Sequence, residues 1–235
     1  MAALVIAHRT CPRDAAENSI AGIRHAARAG ADAVEIDVRL TADGQPVLMH
    51  DPSLWRMTRR ARRLDRTSLA EVRRLRLRGS AETVPTLAEA LGALDGQLRM
   101  AIDVKDPAAA DAVLSEVRNQ GAGGRVLFWA KSAAAVALAA QRDPELEASL
   151  LRDAKRPDDL RQFLDDAVGV GARGISAHWS VIAPAFVDEA RARGVRVYAW
   201  CKTRDVSPAK LALLDGLVTD WPSVVVAMLD RGAAG

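Results

Sequence analysis

The chain has 235 residues, 49% of them apolar, which suits one large α/β domain or two small ones and excludes a disordered chain. Its 33 basic and 30 acidic residues leave a formal charge of only +3, too small an excess to imply a nucleic-acid partner. Aromatics at 4% disfavour a stacking platform for single strands.

Leu4-Val5-Ile6-Ala7 is a short apolar run that predicts a buried first strand ending in His8-Arg9. Asp14 or Asn18 caps the helix that follows, which runs to about Ala29 and stops at Gly30. Ala33–Leu40 is the second strand, with Val34, Ile36 and Val38 alternating with Glu35, Asp37 and Arg39. Ala42-Asp43-Gly44 signals a turn before a third strand, Pro46–His50. Only about six residues link these two strands, too few for a helical crossover. They therefore form a hairpin, or this unit has lost its helix.

From Gly79 onward helices and strands alternate. Helix Thr86–Leu94 precedes strand Leu98–Lys105, Pro107–Asn119 precedes Arg125–Trp129, and Lys131–Arg142 precedes Leu146–Leu151. Pro157–Val168 precedes Gly174–Ser176, Pro184–Arg193 precedes Val195–Trp200, and Ser207–Leu214 precedes Gly216–Thr219, with a closing helix from Pro222. Such alternation predicts a parallel sheet with helices outside. The nine strand candidates are one more than an eight-stranded barrel needs, and Gly174–Ser176 is the weakest. No repeat, linker or low-complexity tract divides the chain, so residues 1–235 are expected to form a single domain.

An Arg-rich excursion at about 52–84 interrupts the pattern; Arg56–Arg78 alone holds ten arginines against Asp65 and Glu71. It reads as a solvated face or as a basic rim steering an anionic substrate or lipid surface to the mouth. No run approaches the ~18 apolar residues of a membrane span, so peripheral contact is the most membrane association expected. The apolar start, Met1 to Ala7, has no basic lead and is too short for a signal peptide. Cys11 and Cys201 are too few for a disulfide framework. Both follow strands, which would set them at the mouth near His8 if the barrel closes there. A cytoplasmic location is expected.

Strands that end in His, Arg and carboxylates place costly polar groups at one rim, the carboxyl end where α/β sheets bind ligands. Glu35 and Asp37 are two apart and share a strand face. Converging carboxylates repel unless a cation relieves them, and all-oxygen ligation suits Mg²⁺ or Ca²⁺. Asp103 is the expected third acid, on one face with Lys105, and His50-Asp51 adds a second imidazole. The set suits metal-assisted attack on a phosphate ester.

His8-Arg9, Glu17-Asn18-Ser19, Glu35-Ile36-Asp37-Val38, Leu40-Thr41-Ala42-Asp43-Gly44 and His50-Asp51 resemble the signature of the glycerophosphodiester phosphodiesterase family. Val84-Pro85-Thr86-Leu87 and Asp215-Gly216-Leu217-Val218-Thr219-Asp220-Trp221-Pro222 resemble its middle and carboxyl-terminal motifs. The resemblance implies a TIM (β/α)8 barrel, to which the spacing read above adds a short helix-less link between the second and third strands. It also implies a divalent metal and hydrolysis of glycerophosphodiesters, a step of lipid metabolism, to glycerol 3-phosphate and an alcohol. By the same resemblance His8 and His50 are the acid and base, and Glu35, Asp37 and Asp103 hold the metal. Arg9 and Lys105 bind phosphate, Trp200 lies in the wall around the leaving alcohol, and Glu17 and Asn18 support the site. A substrate hydroxyl attacks first in that scheme, and water then opens a cyclic phosphate. His25 is expected to be structural or exposed, and His178 has no assigned role.

The chain departs from the pattern at Thr10, where Gly is usual, at Asp103, where Glu is usual, and at Trp200-Cys201-Lys202-Thr203, which brings a new cation to the mouth. Two alternatives follow. One is a phospholipase D-like enzyme acting on lysophospholipids or sphingolipids, against which stands the lack of an amphipathic, Trp-bearing anchor. The other is a non-catalytic phosphate-binding relative.

Overall fold

The computed structural model describes residues 2–96, 98–154, 156 and 158–233, with side-chain surroundings through residue 229. Its strands are β1 Leu4–Ala7, β2 Ala33–Leu40, β3 Pro46–Leu48, β4 Arg99–Val104, β5 Val126–Ala130, β6 Glu147–Leu151, β7 Gly174–His178, β8 Arg196–Cys201 and β9 Gly216–Thr219. All but β3 run parallel, in the order β1, β2, β4 through β9, and the ring closes because β1 pairs with both β2 and β9. This is the expected TIM barrel.

The surplus strand is β3, not the weak candidate after Gly174: β7 pairs on both sides, whereas β3 turns back antiparallel on β2. Thr41 N donates to Gln45 O and Gly44, at φ 75°, donates to Thr41 O, so the link is a hairpin. The strand ends at Leu48, which leaves His50 on the loop beyond.

Helices α1 Ile20–Arg28, α2 Trp55–Thr58, α3 Leu69–Val72, α4 Leu87–Gly92 and α5 Ala110–Asn119 fall in the first half. They are followed by α6 Ala133–Arg142, α7 Asp158–Gly169, α8 Pro184–Ala192, α9 Pro208–Leu211 and α10 Pro222–Ala233. Ser19, not Asp14 or Asn18, caps α1, its hydroxyl accepting from Gly22 N at 3.0 Å. Asn18 has φ 55° and is otherwise engaged, as described below. The expected helix start at Pro157 lies outside the described residues.

Strand periodicity divides the core in two. Val34, Ile36 and Val38 of β2 pack outward under the helices, while Ala33 joins Ile6, Ala101, Leu127, Trp129, Tyr198 and Val218 inside the barrel. Glu35 and Asp37 have the parity of Ala33, so their carboxylates point up the interior toward the carboxyl ends. A satellite cluster of Val47, Met49, Leu54, Met57, Leu64, Val72, Leu77 and Val84 folds the Arg-rich excursion onto the β3 side.

Closure of the ring does not put the two cysteines on adjacent strands. Cys201 ends β8, which β9 separates from β1, and strands lie ~4.8 Å apart. Both thiols are free and buried, Cys11 fully so, and burial first among the causes pushes them up to about 12 and about 11. Only Cys201 lines the cavity at the mouth.

Candidate active site

Immediately after β1 the chain tightens into a single turn, His8–Thr10, and Arg9, Thr10 and Cys11 have positive φ of 44°, 63° and 83°. Non-glycine residues so placed store about 1–3 kcal/mol each and persist only where surroundings over-determine them. Here Arg9 N donates to Glu35 Oε2 at 2.7 Å and Ser19 N donates to Thr10 Oγ1 at 3.2 Å. Thr10 thus supplies a side-chain acceptor that a glycine would lack. Gly22 packs directly on it: a Cβ there would stand 2.3 Å from Thr10 Oγ1 and 2.5 Å from its carbonyl oxygen. Gly22→Ala is therefore expected to destabilise by about 1–3 kcal/mol and to lower activity by displacing the His8–Arg9 turn. Thermal unfolding checks this; an unchanged Tm would mean the turn is compliant.

Register sets Asp37 beside Asp103 on neighbouring strands β2 and β4. With Glu35 they form a buried trio whose oxygens lie within 4.8 Å of one another, so the shorter Asp103 still reaches. Asn18 grips Asp37 from both sides, its Nδ2 donating to Oδ2 at 2.8 Å and its Oδ1 accepting from Asp37 N at 2.9 Å. Lys105 Nζ bridges two of the three, 2.7 Å from Asp37 Oδ1 and hydrogen-bonded to Asp103 Oδ2. The Asp37 contact is an ion pair without hydrogen-bond alignment, and Asp103 Oδ1 is buried with no partner. Burial, with the Asp37 charge behind it, pushes Glu35 above the ordinary carboxylate range, and burial pushes Asp103 up as well. Crowded carboxylates with a spare buried oxygen are the donor set of a hard divalent ion. The residues fit the metal that the sequence implies.

Each imidazole is backed by a carboxylate. His8 Nδ1 lies 2.6 Å from Asp220 Oδ1, just past β9, and His50 Nδ1 lies 2.6 Å from Asp51 Oδ1. Burial lowers His8, but the Asp220 hydrogen bond and the Glu35 charge outweigh it and hold His8 above its ordinary value. For His50, burial with the Arg9 and Lys105 charges prevails over Asp37 and Asp51, and the ring sits below its ordinary value.

His8, Arg9, Glu35, His50, Asp103, Lys105 and Trp200 all line one cavity of about 230 Å³. Asp37 lies beneath it, and Glu17 stands behind Arg9, with Oε2 3.4 Å from Arg9 Nη1. Every candidate residue is thus gathered at one rim. Lys202 joins the cavity wall as the late-motif change anticipates, and His178 packs edge-on against Trp200 at 4.5 Å. His25 is over a third exposed and 3.5 Å from Asp14, remote from this cavity's lining. Sequence reasoning missed the orienting role of Asp220, although the strand-end pattern that picked out His8 also marks it. It also missed Trp129, Lys131 and Arg152, which complete the far wall from β5 and β6.

The glycerophosphoryl diester phosphodiesterase family model matches residues 8–224. A glycerophosphodiester phosphodiesterase of Caldanaerobacter subterraneus is 25% identical over 99% of this chain and 100% of its own. Glycerophosphodiester phosphodiesterase 1 of Bos taurus is 44% identical over 43% of this chain, a match spanning 33% of that protein. Among solved structures, an Oleispira antarctica phosphodiesterase in complex with the product sn-glycerol-3-phosphate superposes with a TM-score of 0.84 at 26% identity, covering 97% of this chain and 96% of that one. An Agrobacterium tumefaciens structure, at 20% identity and a TM-score of 0.85, covers 100% of both chains and shares the fold. The barrel, the rim and a family match over nearly the whole length agree: this chain belongs to the glycerophosphoryl diester phosphodiesterase family and is a phosphoric diester hydrolase.

Proposed function

We propose that the protein hydrolyses glycerophosphodiesters to glycerol 3-phosphate and an alcohol, using Mg²⁺ or Ca²⁺ held by Glu35, Asp37 and Asp103 and proton transfer by His8 and His50. The observation that carries this reading is the convergence of two carboxylate-backed imidazoles, two cations and an acid trio on one cavity. The bound ion supplies Lewis-acid polarisation of a phosphoryl oxygen. Lys105 has three N–H donors, of which one is bonded to Asp103 Oδ2, so donors remain for a phosphate oxygen. Arg9 faces the same cavity, and both cations stabilise charge building on the phosphorus oxygens.

His50, held low, is neutral near pH 7 and takes a proton from the attacking substrate hydroxyl. His8, held high, gives one to the leaving alcohol oxygen, and the roles reverse when water opens the cyclic phosphate. Trp200 walls the alcohol side with Lys202 beside it. The reading places the enzyme in cytoplasmic lipid metabolism; no described helix is long and apolar enough to cross a membrane.

A metal-supplemented screen of glycerophosphocholine, glycerophosphoethanolamine, lysophosphatidylcholine and bis(p-nitrophenyl) phosphate tests it. Release of glycerol 3-phosphate from the first two is expected, and no turnover of either with any divalent ion would refute the reading. The acid and base roles make a second check available. The profile of kcat/KM against pH is expected to be bell-shaped, its acid limb set by His50 below about 6.5 and its alkaline limb by His8 above it. Asp220→Asn removes a contribution that raises His8, so the alkaline limb moves to lower pH. A limb that stays in place would mean that His8 does not carry that proton.

One observation favours the lysophospholipid reading as second choice. The sequence reading finds no Trp-bearing anchor, yet Trp55 on α2 is 55% exposed, with Arg59 and Arg60 exposed just beyond it. A tryptophan among arginines suits an anionic lipid surface. Faster turnover of lysophosphatidylcholine than of glycerophosphocholine, lost in Trp55→Ala, would favour it. The non-catalytic alternative gains nothing from the site, where both imidazoles and all three acids are in place.

A further inference from the structure

The arginines of the excursion are not equivalent. Arg62, Arg63 and Arg73 pair at the surface with Glu71, Asp65 and Glu89. Arg56, about as exposed as Arg62, differs in its partners, which belong to the candidate site. Its Nη1 and Nη2 donate to Glu17 Oε2 and Oε1 at 2.8 and 2.6 Å, and its Nε donates to Asp51 Oδ2 at 2.5 Å. The other oxygen of Asp51 is the one 2.6 Å from His50 Nδ1. Asp51 is therefore fixed at both oxygens, by a guanidinium on one and the imidazole on the other. Burial would raise this carboxyl, but its bonds to Arg56 and His50 bring it to about 2. Glu17 in turn pairs with Arg9, so Arg56 ties the loop carrying His50 to the turn carrying Arg9.

The bidentate grip on Glu17 fixes the guanidinium plane, and with it the direction of the single Nε–H that holds Asp51. A carboxylate on Nδ1 keeps the proton there and leaves the Nε2 lone pair free to accept one from a substrate hydroxyl. That arrangement is only as steady as the carboxylate, and the residues that orient a working histidine contribute through it without touching substrate.

We propose that Arg56 is a positioning residue for His50, acting through Asp51, and that the excursion is built to deliver it. This rests on the reading of His50 as acid or base.

The test is a double-variant cycle read in kcat and KM, scaled to the folded fraction by circular dichroism. Arg56→Met is expected to lower kcat about tenfold or more, the scale on which small misplacements reduce turnover. KM should change by less than about twofold, since Arg56 does not line the cavity. Arg56→Lys, which keeps the charge, should recover part of the loss. Asp51→Asn should lose kcat similarly, and Arg56→Met with Asp51→Asn should be no worse than the poorer single variant, because both cut the same link. Arg62→Met, a surface-paired arginine of the same excursion, should leave kcat unchanged. Additive losses, or an Arg56→Met enzyme whose kcat per folded molecule is normal, would overturn the proposal. His50→Ala is measured alongside. A large loss there with an additive cycle rejects the Arg56 link alone, whereas a normal kcat there rejects the catalytic role of His50 itself.

Discussion

His8→Ala and His50→Ala are each expected to lower kcat at least ~10²-fold, the scale set by loss of a positioned acid or base. Both variants should fold. The two side chains are 22% and 34% exposed, stand on loops at strand ends and belong to none of the apolar clusters. Removing His50 leaves Asp51 still paired with Arg56, so no carboxylate is stranded. Removing His8 leaves Asp220 half-buried but near the positive charges of Lys202 and Arg9. His25→Ala is the control and should be nearly silent, because its ring is 37% exposed and does not line the cavity. Steady-state kinetics on glycerophosphocholine decide the matter: near-normal kcat in either variant removes that residue from the proton-transfer scheme.

Stripping divalent metal is expected to abolish turnover, with Mg²⁺ or Ca²⁺ restoring it, and the binding itself should be measurable apart from catalysis. Glu35, Asp37 and Asp103 crowd three carboxyl groups together beside Lys105 and Arg9. Burial and Asp37 already raise Glu35 toward taking up a proton in the metal-free protein. An ion must displace that proton, so apparent affinity should fall as pH falls through the raised value of Glu35 and recover above it. Titration calorimetry in buffers of different ionisation enthalpy should detect the released proton, and thermal unfolding should show Tm rising with added metal. Glu35→Gln should weaken binding and reduce the pH dependence. Full activity after exhaustive chelation, or a Tm indifferent to metal, would discard the metal site.

The barrel is legible wherever local pattern decides structure. Ala33–Leu40 and Gly216–Thr219 emerge with the bounds that their apolar alternation predicts. The site acids are legible for the same reason, since polar groups ending buried strands stand out against an apolar run. β3 and β7 are less legible because tertiary pairing decides them. Gly174-Ile175-Ser176 has little propensity of its own and becomes a strand because β6 and β8 flank it. The cap of α1 is misplaced because Asn18 looks like a cap locally but is held by Asp37, nineteen residues later in the chain. Asp220 meets His8 and Arg56 meets Glu17 across long stretches of chain, and no periodicity carries that information.

The closure of β9 on β1 has a consequence for synthesis. The pair that orients His8 spans 212 positions, from the first strand to just past the last. A chain emerging amino end first has its acid trio and His50 early, but His8 gains its carboxylate only when the final strand docks. Contacts so distant in sequence are among the last to form. The full alkaline limb of hydrolytic activity should therefore appear only with completion of the ring, which makes turnover above neutral pH a reporter of barrel closure during refolding.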